Sequence, residues 1–101
     1  MFAIAIIRYR RPFEDVAPII DDHRAYLRLM QQQGYLIASG PFSPRHGGAL
    51  LLHVPDGTPQ LLDRIRDDDP FTKTNVAQYE ILMWLPNIGL EKLQSLVSTV
   101  V

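Results

Sequence analysis

The chain has 101 residues, 47% of them hydrophobic and 21% charged, the profile of one soluble globular domain with a single core. Ten Lys and Arg against eleven Asp and Glu leave a formal net charge of −1, so no bulk basic field is available to hold nucleic acid or an anionic membrane. Cysteine is absent, which excludes disulfides, thiolate nucleophiles and thiolate metal sites and leaves the cytoplasm as the expected compartment.

Taken in order, residues 2–9 are short, apolar and rich in isoleucine and aromatics, and Arg10-Arg11-Pro12 closes them, which predicts a buried strand. No basic residue precedes this run and Arg8, Arg10 and Arg11 interrupt it, so it is not a signal-peptide core. No apolar run approaches the roughly 18 residues of a membrane span. From about Asp15 to Gln33 the residues Val16, Ile19, Ile20, His23, Leu27 and Met30 fall on one stripe of a helix, with Pro18 tolerated in its first turn and Gly34 placed to end it. His23 sits in the middle of that apolar stripe. An ionisable ring there is either hydrogen-bonded inside the protein or open to a cavity.

Leu36 to Ser39 form a second strand closed by Gly40-Pro41, and Phe42 to Gly48 a loop without periodicity. A third strand runs from Ala49 to Val54. After the Pro55-Asp56-Gly57 turn, Thr58 is placed to cap a helix with Pro59 at its first position, Leu61, Leu62 and Ile65 facing inward. Pro70 stops that helix at or just before Asp69. Asp67, Asp68 and Asp69 then crowd negative charge at a helix end that is already negative, each at a cost of about 0.3–1 kcal/mol. A broken local rule of this kind points to function or to a specific partner. The fourth strand runs from about Ala77 to Leu85, and Leu90, Leu93, Leu96, Val97 and Val100 predict an amphipathic tail helix within Asn87 to Val101.

The order β-α-β-β-α-β predicts an α+β, ferredoxin-like fold, with a four-stranded antiparallel sheet and both helices on one face, over residues 1–86, followed by a helical extension over 87–101. Strands one, three and four are apolar on both sides. The helix-free face should therefore be covered by a second copy, a homodimer through sheet faces, with the tail available for further assembly.

The series Asp22-His23-Arg24-Ala25-Tyr26-Leu27, Gly34-Tyr35 through Gly40-Pro41-Phe42, Gly48-Ala49-Leu50-Leu51-Leu52, Asp69-Pro70-Phe71 and Val76 to Trp84 resembles the YCII-related domain family over roughly residues 2–86. The resemblance implies a dimeric α/β barrel with an active site built on a histidine and an aspartate, here His23 and Asp69. It implies no single reaction, although the wider fold group includes small enzymes that isomerise, oxidise or dehalogenate ring compounds. The chain departs from the family pattern in its short Ser43-to-Gly47 loop and in the tail beyond Asn87.

An imidazole titrates near neutral pH, and a carboxylate beside it orients it for proton transfer. His23 and Asp69 are the catalytic candidates on that ground; the plainer alternative is a satisfied core histidine and a capping aspartate. Arg8, in register with Phe2, Ile4 and Ile6, is a candidate to hold an anionic substrate group, or else an edge ion pair. Ser39 and Phe71 complete the substrate-binding candidates. His23, His46, His53 and Asp69 lack the close spacing of a metal site, and there is no GxGxxG, P-loop or GxSxG, so neither metal nor cofactor is expected. An RNA-binding domain shares the strand order, but Ala49-Leu50-Leu51-Leu52 stands where stacking aromatics and basic residues would be needed. Two functions stay open: a lyase- or isomerase-like enzyme acting on a small cyclic or enolisable metabolite, and a non-catalytic small-molecule-binding or accessory subunit.

Overall fold

In the computed structural model, which describes residues 1–98, the chain runs β1 (Phe2–Tyr9), α1 (Phe13–Val16), a 3-10 turn (Ala17–Ile19), α2 (Ile20–Gln32), β2 (Leu36–Pro41), β3 (Gly47–His53), α3 (Pro59–Asp68), α4 (Pro70–Lys73), β4 (Ala77–Trp84) and α5 (Leu90–Ser98). The strands form one antiparallel sheet in the order β2-β3-β1-β4, the ferredoxin-like arrangement. Strand alternation divides the sheet into two faces. Ala3, Ala5 and Ile7 of β1 and Leu50 and Leu52 of β3 point to the side where they join Leu27 and Met30 of α2, Leu62 and Ile65 of α3 and Phe71 of α4 in the core. Each large aliphatic side chain buried there contributes about 1.5–3 kcal/mol of transfer free energy. The opposite face carries no helix from this core, and Leu82 and Trp84 of β4 are 43% and 39% exposed on it.

Several local expectations change. The stripe read as one helix from Asp15 is three pieces, because Pro18 has no amide hydrogen to continue the ladder and a 3-10 turn carries the chain past it. Thr58 does occupy the position before Pro59, yet its hydroxyl donates to the Pro55 carbonyl at 2.6 Å and makes no cap bond. A short helix, α4, follows the expected stop. Asn75 ends it in the left-handed region at φ 59°, with the Val76 amide donating to the Phe71 carbonyl at 3.1 Å. Within the tail, Leu93 and Val97 of α5 are half-buried, and Val100 lies outside the described residues.

The third strand begins at Gly47, two residues earlier than its apolar run. A Cβ on Gly47 would stand 1.9 Å from the Ile7 carbonyl oxygen, and one on Gly48 would stand 2.5 Å from that of Gly40. Only residues without a side chain let β3 fit between β1 and β2 at this end of the sheet. Gly47→Ala is therefore expected to destabilise the fold by at least about 1–3 kcal/mol, the usual cost of forced overpacking. Urea unfolding checks it, and an unchanged midpoint would refute the reading.

Candidate active site

The site assembles where three elements meet on the helix side of the sheet. In α2 the apolar stripe turns His23 inward beside Leu27, leaving its side chain 12% exposed. Between α3 and α4 the backbone of Asp69 leaves helical geometry at φ −66°, ψ 130°, as a residue before proline must, and the aspartate becomes the N-cap of α4. Its carboxylate accepts the Phe71 amide at 2.9 Å. The same carboxylate faces His23 Nδ1, at 2.8 Å from Oδ1 and 2.9 Å from Oδ2. From β4, the Tyr79 hydroxyl donates to Oδ2.

Asp69 is fully buried, and these three donors serve both of its oxygens. The aspartate run thus has three separate fates. Asp67 pairs with Arg66 Nε at 2.8 Å, which holds its carboxyl below the usual range, Asp68 faces solvent, and Asp69 turns inward to cap the next helix. The expected penalty at the end of α3 does not arise at Asp69. That residue lies at the favourable, N-terminal end of α4.

Phe71 fixes the other side of the imidazole. Its ring stacks on His23 with centroids 3.8 Å apart and planes within 6°, and Tyr9 meets it edge-on at 6.0 Å. Carboxylate and ring together leave His23 little rotational freedom. The Tyr26 hydroxyl donates to the Ile65 carbonyl at 2.7 Å and so ties α2 to α3 beside the pair. Burial, and then the charge of Asp69, push the Tyr79 hydroxyl well above the ordinary tyrosine range, so it stays a donor at neutral pH.

A cavity of about 170 Å³ opens over this pair, lined by His23, Phe71 and Tyr9 with backbone from the Gly40-Pro41 and Gly47-Gly48 segments. Ser39 lines it too. Arg8, for which the sequence left an anion-holding role and an edge ion pair open, does not. The two-residue period of β1 sends Arg8 to the helix-free face, where it pairs with Glu80 at 2.8 Å. In its stead the cavity has Arg24, adjacent to His23 in sequence, and Arg45 from the loop before β3. Tyr79 was also not anticipated, although the alternation of β4 places it with Ala77 and Ile81 on the helix side. The three histidines lie apart: His53 packs on Phe2 and His46 beside Phe42, and among the described residues no three of His, Cys, Asp and Glu converge as for a metal ion.

Fold and site together define a ferredoxin-like α+β domain with a carboxylate-held histidine facing a small cavity. The family model of the YCII-related domain matches residues 1–85, and the chain belongs to that family. Among solved structures, it is similar to 5-chloro-2-hydroxyhydroquinone dehydrochlorinase (TftG) from Burkholderia phenoliruptrix, in complex with 2,5-dihydroxybenzoquinone. The TM-score is 0.73 at 17% identity, over 87% of this chain and 97% of that one, a likeness of fold. No curated protein matches the chain in sequence at a significant level.

The raised value of Tyr79 carries a sign. The folded state keeps this proton to higher pH than the unfolded chain, which loses it near pH 10, so the contribution is complete below that value and is lost as pH rises above it. Tyr79→Phe should cost about 1.5–3 kcal/mol at neutral pH, the worth of a hydrogen bond to a charged group, and should lessen the fall in stability above pH 10. Urea titrations across that range test both, with the parallel effect of Tyr26 as the residual slope.

Proposed function

We propose that the protein is a small acid/base enzyme, lyase- or isomerase-like, acting on a small cyclic or enolisable metabolite. One observation carries this reading: the same imidazole that gives Nδ1 to a fully buried carboxylate also lines the cavity. With Nδ1–H donated to Asp69, the lone pair of the neutral ring is on Nε2, which has no protein partner among the described residues. Nε2 takes a proton from a substrate hydroxyl or an activated C–H, and Asp69 stabilises the resulting imidazolium without itself accepting the proton. The electron pair of the broken bond then moves through the substrate. It either expels a leaving group such as chloride, or the proton is returned from Nε2 to another atom to complete an isomerisation. The dehydrochlorinase of like fold gives the first outcome a precedent of reaction type, and the ring compound in its structure one of substrate size.

General acid/base catalysis of this kind contributes on the order of 10²–10⁴ in rate. Small hydroxylated and chlorinated quinols and enolisable lactones form the substrate panel, and for whichever turns over, His23→Gln should lower kcat by that factor. The nitrogen-15 spectrum of the neutral His23 ring should show the Nδ1–H tautomer and should change in Asp69→Asn. An Nε2–H tautomer in the wild type, or full turnover by His23→Gln, sinks the proposal.

The helix-free face supports a second proposal, a homodimer formed sheet to sheet. Four strands of six to eight residues present a footprint of roughly 500 Å² in projection, and side-chain relief and the tail bring it toward the roughly 800 Å² per partner of a stable interface. Its centre, Ile4, Ile6 and Leu51, is apolar, and its charged pair, Arg8 and Glu80, is already satisfied within one copy. Light scattering should give twice the chain mass, and Leu82→Glu, on the exposed part of that face, should return it to one. A wild-type mass of one chain at low micromolar concentration would count against the dimer.

A further inference from the structure

The charged groups that line the cavity have one sign. Arg24 and Arg45 reach it together with His23, whereas Asp69 is sealed behind the imidazole with none of its surface exposed. Two arginines outside the cavity are held by carboxylates, Arg8 by Glu80 and Arg66 by Asp63 and Asp67. Among the described residues neither cavity arginine has one. Arg45 is held by neutral groups instead, its Nε donating to the Tyr9 hydroxyl at 3.3 Å and its guanidinium lying 5.2 Å from the centre of the Phe13 ring.

A second depression, of about 380 Å³, lies between α2 and the β2 edge and shares Arg24, Leu27 and Ser39 with the cavity. It adds Arg28, one helical turn beyond Arg24. Like charges at this spacing oppose the helix slightly, and no carboxylate among the described residues relieves them within ion-pair distance. Arg24 therefore stands at the junction of the two spaces, with its planar fork of donors uncommitted.

We infer that the substrate of the acid/base site is an anion, its reacting part turned to His23 and its carboxylate or equivalent oxyanion held by Arg24 where the cavity opens into the groove between α2 and β2. This rests on the acid/base reading for the position of the reacting part. The charge requirement rests on the arginines alone. A bidentate guanidinium contact fixes a planar acid in orientation as well as in place, and that is what a single proton-transferring ring needs. Arg45 adds positive potential from the other rim, and Arg28 accommodates substrates whose acid extends farther along the groove.

A matched pair of probes tests it. Benzoate and its neutral isostere benzamide are titrated into the full chain while NMR follows the His23 ring proton and the Arg24 Nε–H. Benzoate should move both signals saturably, and its affinity should fall about tenfold or more in Arg24→Gln, with Arg24→Lys in between because it keeps the charge and loses the fork. Benzamide should bind more weakly and ignore the substitution. Arg24 is exposed, so folding of both variants is checked by their unchanged melting temperature.

Equal affinity for the two probes, indifference of benzoate to Arg24→Gln, or no saturable benzoate response would each overturn the inference. If benzamide moves His23 as strongly as benzoate does, anion selectivity falls and the acid/base reading stands. If benzoate binds through Arg24 while His23→Gln leaves turnover intact, it is the acid/base reading that fails.

Discussion

A carboxylate with none of its surface in water must find its hydrogen bonds inside the protein, and Asp69 takes its three from three different elements. The Phe71 amide is free to donate because a helix starts there. His23 is within reach because α2 lies across that helix, and Tyr79 because β4 returns beside it. Removal of any one would leave part of a buried charge unpaired, at a cost of roughly 1–3 kcal/mol or more. Site and fold are thus one network. The group that holds the imidazole also ties α2, α4 and β4 together, so a change at Asp69 acts on stability and on the geometry of the candidate site at once.

The sheet separates two tasks by its period of two. Alternate residues of β1 build the core and the cavity wall on one side, and on the other an apolar surface with a single paired charge at its end. Arg8 and Tyr9 are neighbours in sequence and belong to different faces: Tyr9 meets Phe71, and Arg8 meets Glu80. The glycines at 47 and 48 have the complementary part. Where a side chain would strike the backbone of β1 or β2, they bring bare main chain to the cavity, and the space over His23 owes its shape to what these residues lack.

Much of this was legible in the sequence because it followed from periodicity. The strand and helix order fixes the topology once crossovers are right-handed, and the helical stripe puts His23 inward. Proline before Phe71 marks the turn that presents Asp69. The resemblance to the YCII-related family added the pairing of the two, which no local pattern carries, since 46 residues separate them. What stayed hidden depended on distance across the fold. Arg8 was assigned by strand register without knowing which face the cavity would occupy, and Arg24 reads on a helical wheel as an ordinary solvated charge. The face that Tyr79 takes is set by alternation in β4, but its partnership with Asp69 is not. Thr58 shows the limit at short range, where a hydroxyl in the right place for a cap found a nearer acceptor.

Bulk charge and local charge also part company here. A net charge of −1 gives the whole molecule no pull on an anion, yet the walls of one small cavity carry only positive groups. Field in a concave, partly apolar space is set by the nearest charges, because the surrounding low-dielectric walls screen them less than water does. Asp69, the carboxylate that His23 covers, is sealed from the cavity. Its charge is spent on the imidazole and on two other donors, so what the cavity presents to a ligand is a polarised ring nitrogen flanked by guanidinium groups. An anion of the kind inferred above would be held there at one end by its charge and would meet the ring nitrogen at the other, a division of labour that needs very few side chains of one small domain.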